Sequence, residues 1–512
     1  MAGRTRRALK NSAIQGGSQV ITWALSWVLL VVLPRFLGDE GFGKLFLGLS
    51  YSMVLGTIMN LGINKYLVKR VAVLNPAEAA STDSGALAAQ LRELLSNVFA
   101  LKLFMSVSLY ALMAVIVLLL PYEPTTRAAI LIVCVAACLN NLTLTAASVH
   151  QGFERMVPPN TAIIAEKLLT TVVCTALLFA GYGLIPVCFV YVAGASVNCL
   201  ISLGLLRRRV SFGLAWNAPM MKSLLIGGLP FLIWIVFGEI YVRVDVLMLS
   251  FMTDQAVVGW YGAAFRIYAT LLFVPHMLNT VVFPPLARMG ADEEGHADFA
   301  VATRRVMNLL LVAVIPIGIG VALISSPLVL LLYGEGPFVN SVPSLRLFGA
   351  CIVVVSVDVV LGSALIAKGK QKVWSYMAIV AAGFNPALNA WLIPVAEQLW
   401  QNGGIGAAVA TLATEILMMG GAITLMPQGI LSPQWLVTAL KAGVAAALMA
   451  ATVLTLGIES VLGILLVSVA VYGIAAVFLR VLPPADIAHL LHAAGLQDRF
   501  VPLQRILGVR RP

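Results

Sequence analysis

Ser12-Ala13-Ile14-Gln15-Gly16-Gly17-Ser18-Gln19-Val20-Ile21-Thr22-Trp23 opens a long apolar run. At an offset of 211 residues, Ser223-Leu224-Leu225-Ile226-Gly227-Gly228-Leu229-Pro230-Phe231-Leu232-Ile233-Trp234 opens another, with Ser, Gly, Gly and Trp in register. Each run leads through a turn into a second matching stretch, Asp39-Glu40-Gly41-Phe42-Gly43 and Asp254-Gln255-Ala256-Val257-Val258-Gly259. Six apolar runs lie within the offset, an even number, so the two halves keep the same orientation. Two parallel six-helix halves are an arrangement of alternating-access transporters.

Working outward, 60% of the 512 residues are hydrophobic and 11% charged, against roughly 25% charged in a soluble domain. With about 20 apolar residues per crossing, the runs fall at 12–33, 43–66, 96–120, 128–149, 161–181, 184–206, 222–250, 256–284, 306–332, 343–367, 373–395, 403–426, 435–457 and 460–481. The fold class is therefore an all-α integral membrane protein of about 14 transmembrane helices. Its expected organisation is an N-terminal lobe at 1–210, a C-terminal lobe at 211–430, two additional helices at 431–482 and a basic tail at 483–512. The opening MAGRTRRALK has the basic character of a signal peptide, but the run after it is full length and no small-residue cleavage site follows, so it reads as the first membrane helix.

The net charge of +11 is a topology signal. With the N-terminus cytoplasmic, 24 of the 33 Lys and Arg fall on the inside, four outside (Arg35, Lys44, Arg127, Arg346) and five within spans (Lys102, Lys167, Arg243, Arg266, Lys441). That is the positive-inside pattern, and no nucleic-acid partner is implied. It places both termini in the cytoplasm of a multi-pass protein of the cell membrane. Trp216, Trp374 and Trp435 lie near the inner boundary and Trp260, Trp391 and Trp400 near the outer one. The outside loops are too short for a membrane-embedded glycan polymerase, and Ala367-Lys368-Gly369-Lys370-Gln371 lacks the upstream Gly and the Ser/Thr of a phosphate loop. All six cysteines lie in apolar runs, which suggests neither a disulfide framework nor a zinc site. No cofactor or metal is expected.

The stretch Pro34-Arg35-Phe36-Leu37-Gly38-Asp39-Glu40-Gly41-Phe42-Gly43, with Leu61-Gly62-Ile63 after it, resembles the first two helices of the polysaccharide-transporter family, the O-antigen and exopolysaccharide flippases of the MOP (multidrug/oligosaccharidyl-lipid/polysaccharide) superfamily. In the second half, Val244-Asp245-Val246-Leu247-Met248-Leu249, Val258-Gly259-Trp260-Tyr261-Gly262-Ala263-Ala264-Phe265-Arg266-Ile267, Pro275 and Phe283-Pro284 are similar to its seventh and eighth helices. The resemblance implies a flippase, not an enzyme, that carries undecaprenyl-pyrophosphate-linked oligosaccharide from the cytoplasmic to the outer leaflet for surface polysaccharide. Its partners would be that polyprenyl-pyrophosphate oligosaccharide, membrane lipids, and glycan polymerase and export machinery. Two related groups stand as alternatives: cation-coupled multidrug exporters of the MATE group, which have twelve helices and little fixed positive charge, and lipid II flippases, which also have fourteen.

An ionisable residue at mid-span costs about 2.5–3.5 kcal/mol on insertion scales, so it faces a cavity or a partner. Glu239 and Arg243 stand at i,i+4 on one face of the seventh helix, Asp245 on another, and Arg266 reaches a similar depth on the eighth. Arg243 and Arg266 are the candidate pyrophosphate ligands, because guanidinium forks suit its oxygens. Glu239, Asp245 and Asp358 are the candidates for exchanging a proton or sodium ion. The competing reading makes Glu239–Arg243 and Asp245–Arg266 buried pairs that fix helix register. Gln15, Gln19, Thr22 and Ser26, spaced 4, 3 and 4, form a polar stripe that with Asn60 offers hydrogen bonds to sugar hydroxyls, or else to neighbouring helices. Lys102, Lys167 and Lys441 lie close enough to the inner boundary to snorkel.

Overall fold

The structure, a computed structural model, describes residues 2–74, 84–291, 296–426 and 433–482. The expected tail at 483–512 lies outside them. Every element among the described residues is helical, because in hydrocarbon a lone helix satisfies its own backbone.

Residues 1–259 form one compact unit and 260–512 another. In the first unit α1 (Ala2–Asn60) carries two crossings, bent at Gly38 with φ 71° and ψ 177°, a conformation essentially confined to glycine. Pairing the first and second apolar runs thus takes one residue and no loop. A left-handed pair, Leu61 and Gly62, then ends α1 and starts α2 (Ile63–Val73). The unit continues through α3 (Ser84–Leu119), α4 (Pro124–Gly152), α5 (Val157–Phe179), α6 (Leu184–Arg207) and α7 (Ala218–Met252). Prolines lie in the first turn of α4, α5 and α7, where their missing N–H costs nothing. The core at the basic ends of these helices is built from Leu67, Leu95, Phe99, Val149, Leu206 and Leu224. α7, which the repeat pairs with α1, packs on α1, α2 and α3. Its far end is tied down by a chain of buried hydroxyls, Tyr51 to Tyr122 (3.1 Å) and Tyr122 to Ser250 (2.7 Å).

Within this unit the two matching stretches of the repeat touch each other. A Cβ on Gly43 would lie 1.9 Å from the Gln255 carbonyl oxygen, and one on Gly259 would lie 2.1 Å from that of Asp39. The pairs 43·255 and 39·259 exchange under a shift of 216, so the contact is reciprocal. Beside it, Lys44 donates to Glu40 (2.6 Å) and to Glu123 (2.8 Å) at the start of α4. The Lys44 hydrogen bond holds the exposed Glu123 carboxyl below the usual carboxylate range.

α8 (Gln255–Leu271) begins in the first unit, and the second unit runs on through α9 (Phe273–Ala291), α10 (His296–Tyr333), a 3-10 turn (Pro337–Ser341), α11 (Val342–Ala367), α12 (Gln371–Trp400), α13 (Gly403–Leu425), α14 (Pro433–Thr455) and α15 (Val461–Phe478). α8 and α9 form a single crossing. Small residues set the close approaches here, as at Gly318 against the Gly349 carbonyl. The last two helices pack on α10 through Ala442, Ala445 and Ala475, with Tyr472 donating to the Val312 carbonyl at 2.7 Å. With α1 counted twice and α8–α9 once, the helices supply the fourteen crossings read from the sequence.

Candidate substrate and ion sites

Glu239 and Arg243 meet as their spacing requires. Arg243 Nε donates to Glu239 Oε1 at 3.1 Å, with the side chains 15% and 27% exposed respectively. Asp245, two residues further along α7, is buried at 3% exposure. Arg266, half-buried on α8, lies within electrostatic reach of Tyr333, whose hydroxyl donates to the Ala263 carbonyl at 3.4 Å. Nearby on this helix Tyr261, Phe265 and Tyr268 pack rings with Phe348 of α11 and fix its register.

Asp358, 5% exposed on α11, is set against Glu415 of α13. The sequence shows both acids at mid-span but not that the fold brings them together. Neither Asp358 oxygen has a described N–H or hydroxyl donor. Two carboxyl groups so placed repel each other when both are ionised.

The α1 stripe divides by burial. Gln15, Gln19 and Ser26 are exposed, whereas Thr22 is buried and turns its hydroxyl to the Gln19 carbonyl at 3.0 Å. Exposed amides inside a membrane span are costly against lipid and suit a water-filled cavity. Ser18, one residue off the stripe, donates to Asn160 of α5 at 2.5 Å and shows which face of α1 is packed.

Asn60 has a different neighbour. Lys102, fully buried on α3, donates from Nζ to the Asn60 carbonyl at 2.8 Å, to Asn60 Oδ1 and Met59 O at 3.3 Å, and to Asn141 Oδ1 at 3.1 Å. The side chain turns inward onto the broken end of α1 and does not snorkel. Asn385 and Asn389 are likewise buried and bond to each other at 2.8 Å. Sequence reasoning passed over Glu166 of α5, which accepts from Asn198 Nδ2 of α6 at 2.6 Å; its signal was a lone acid within the fifth apolar run. Among the described residues no group of three or more His, Cys, Asp or Glu could hold a metal ion.

Two family models match this chain over more than half its length. One, described as polysaccharide biosynthesis protein, covers residues 8–290, and the other, lipid II flippase MurJ, covers 157–476. The chain belongs to the MOP superfamily of polysaccharide and lipid-linked flippases. Solved structures agree on the MOP fold. A lipid II flippase MurJ in an inward closed conformation aligns at TM-score 0.72 and 16% identity, over 92% of this chain and 99% of that one. An inward-facing multidrug resistance MATE transporter of the MOP superfamily aligns at 0.57 and 13%, over 80% and 92%. The eukaryotic MATE transporter AtDTX14 aligns at 0.54 and 15%, over 86% and 99%. A search of curated proteins by sequence gave no match. Both families and these neighbours are transporters, and this MOP protein is a multi-pass membrane flippase and not an enzyme.

Proposed function

We propose that the chain translocates an undecaprenyl-pyrophosphate-linked oligosaccharide from the cytoplasmic to the outer leaflet of the cell membrane by alternating access, with both termini cytoplasmic, and supplies a surface glycan polymerase and its export machinery. The observation that carries this reading is the polysaccharide biosynthesis family match across residues 8–290. Arg243 and Arg266 bind the pyrophosphate, each as a planar fork able to meet two oxygens. The exposed Gln15, Gln19 and Ser26 serve the sugar hydroxyls, whereas Thr22 and Asn60 bond within the protein. Asp358 with Glu415 exchanges the coupling proton or sodium ion, and Glu239 and Asp245 on α7 poise the charge near Arg243. A second reading, lipid II as cargo, is favoured by the MurJ match over 157–476.

Depletion in the native host, with extraction of carrier-linked intermediates and assignment of the leaflet they occupy, separates these readings. Oligosaccharide-linked carrier trapped on the cytoplasmic face, with normal peptidoglycan, is the expected result. Trapped lipid II with lysis would transfer the assignment to the second cargo. Normal levels of both with raised drug sensitivity would overturn both in favour of an exporter.

In reconstituted vesicles the Arg243→Gln, Arg266→Gln double variant should lose transport. Hydrogen bonds to charged groups contribute about 1.5–3 kcal/mol each, roughly 10- to 100-fold in affinity per arginine. Glu239→Gln removes the α7 ion pair but keeps Arg243, and should retain most of the binding. Full transport in the double variant rules out the pyrophosphate role.

A further inference from the structure

We propose that the connection between α6 and α7 is a binding site for one anionic phospholipid, with the phosphodiester on Arg207 and Arg92 and an acyl chain running between α6 and α3. Residues 208–217 form no helix or strand of their own, yet α3 fixes them. Gly213 N donates to Ser96 Oγ at 3.1 Å, Ala215 N to the Ser96 carbonyl at 3.3 Å and Asn217 N to Asn97 Oδ1 at 2.6 Å. Asn217 also accepts from Met220 N and so caps α7. Bonds from every second N–H are the mark of an extended backbone. The strap so formed leaves Leu214 and Trp216 open, 66% and 60% exposed.

Rings, not acids, place the first arginine. Phe212 of the strap stacks on Phe99 of α3 with centroids 4.5 Å apart and planes at 13°, and the Arg207 guanidinium lies 5.6 Å over the Phe212 ring. A ring face engages a guanidinium from one side and leaves its in-plane N–H groups free to donate. Among the described residues the side chains of Arg207 and Arg92, both exposed, form no hydrogen bond or ion pair. Arg92 opens the α3 stripe Arg92, Ser96, Phe99 and Leu103, spaced 4, 3 and 4, which is the face that the strap lies on. Its neighbouring acid, Glu93, accepts from the Asn217 amide at 3.3 Å.

Away from the arginines the same two faces turn apolar. On α6 the face of Arg207 continues as Gly204 and Leu200, and on α3 the face of Phe99 continues as Leu103, all three exposed. Nothing lies within 4 Å of a Cβ placed on Gly204, so α6 is notched there. Trp216 reaches in the same direction. Asn217 is fixed at Asn97, but the Trp216 ring meets Phe104 edge-on at 5.4 Å, seven residues or about 10 Å further along α3. A cationic end followed by bare hydrocarbon matches a phospholipid headgroup and its chain, and tryptophan is enriched at headgroup depth. In the orientation proposed above this is the inner leaflet, whose anionic lipids attract basic residues.

The test is native mass spectrometry of the detergent-purified full-length protein titrated with phosphatidylglycerol or phosphatidylcholine, without cargo. The wild type should hold one phosphatidylglycerol about tenfold more tightly than phosphatidylcholine, the size expected of charge-assisted hydrogen bonds. The Arg92→Gln, Arg207→Gln double variant should lose that preference, whereas Arg155→Gln, at an exposed arginine between α4 and α5, should keep it. Arg207→Lys, which keeps the charge but not the fork, should bind phosphatidylglycerol severalfold more weakly, and it covers the case in which the double variant does not fold. Equal binding of the two lipids by the wild type, or an equal loss in Arg155→Gln, overturns the site. Displacement of phosphatidylglycerol by millimolar inorganic phosphate would make this a phosphate site and overturn the lipid assignment. The choice of leaflet rests on the orientation of the flippase reading, but these measurements need neither cargo nor orientation, so either can fail without the other.

Discussion

Gly43→Ala and Gly259→Ala should each destabilise the protein by about 3 kcal/mol, the upper range for overpacking, yet the double variant should lose far less than the sum. In both positions the atom that an added methyl group meets is a backbone carbonyl, Gln255 O at 1.9 Å and Asp39 O at 2.1 Å. A carbonyl in a helix cannot swing aside as a side-chain end does, so the helices must part. Once one methyl group has separated them, the second finds the space already open. A double-mutant cycle on thermal unfolding of the purified protein measures this coupling directly. Strict additivity would mean that the two glycines do not share one crossing.

Lys102→Met is the second substitution with a large expected effect. Met59 O and Asn60 O belong to the last turn of α1, whose carbonyls have no intrahelical donor, and the left-handed Leu61 and Gly62 turn the chain away from them. Lys102 satisfies both carbonyls and also holds Asn141 Oδ1. Methionine fills the volume but donates nothing. Each buried acceptor left unpaired costs about 1–3 kcal/mol, so a loss of roughly 3 kcal/mol is expected in thermal unfolding, together with faster amide exchange at the α1–α2 junction. Unchanged unfolding and exchange would show that the lysine is dispensable there.

Much of the architecture was legible because the membrane enforces it. Hydrocarbon demands a full apolar run per crossing, and each of the fourteen runs coincides with helix. Gly38 was readable as a turn residue within the Pro34–Gly43 stretch, and Glu239–Arg243 followed from helical spacing alone. Other features were hidden because they depend on which face of a helix meets which neighbour. Counting turns to the boundary made Lys102 a snorkelling residue; only packing shows that its helix face looks inward at Asn60. Asp358 and Glu415 are 57 positions apart, and nothing in their local sequence pairs them. In the α1 stripe, spacing put Thr22 with Gln15, Gln19 and Ser26, but the fold buries Thr22 and leaves the other three open.

The reciprocal crossing also carries a consequence for inheritance. A glycine at 43 is useful only while 259 remains small, and the reverse holds equally, because either methyl group alone removes the close approach that both protect. Mutation therefore meets the two codons as one locus. Drift at one releases the other, so among descendants of this chain the pair should be kept together or lost together, although 216 positions separate them.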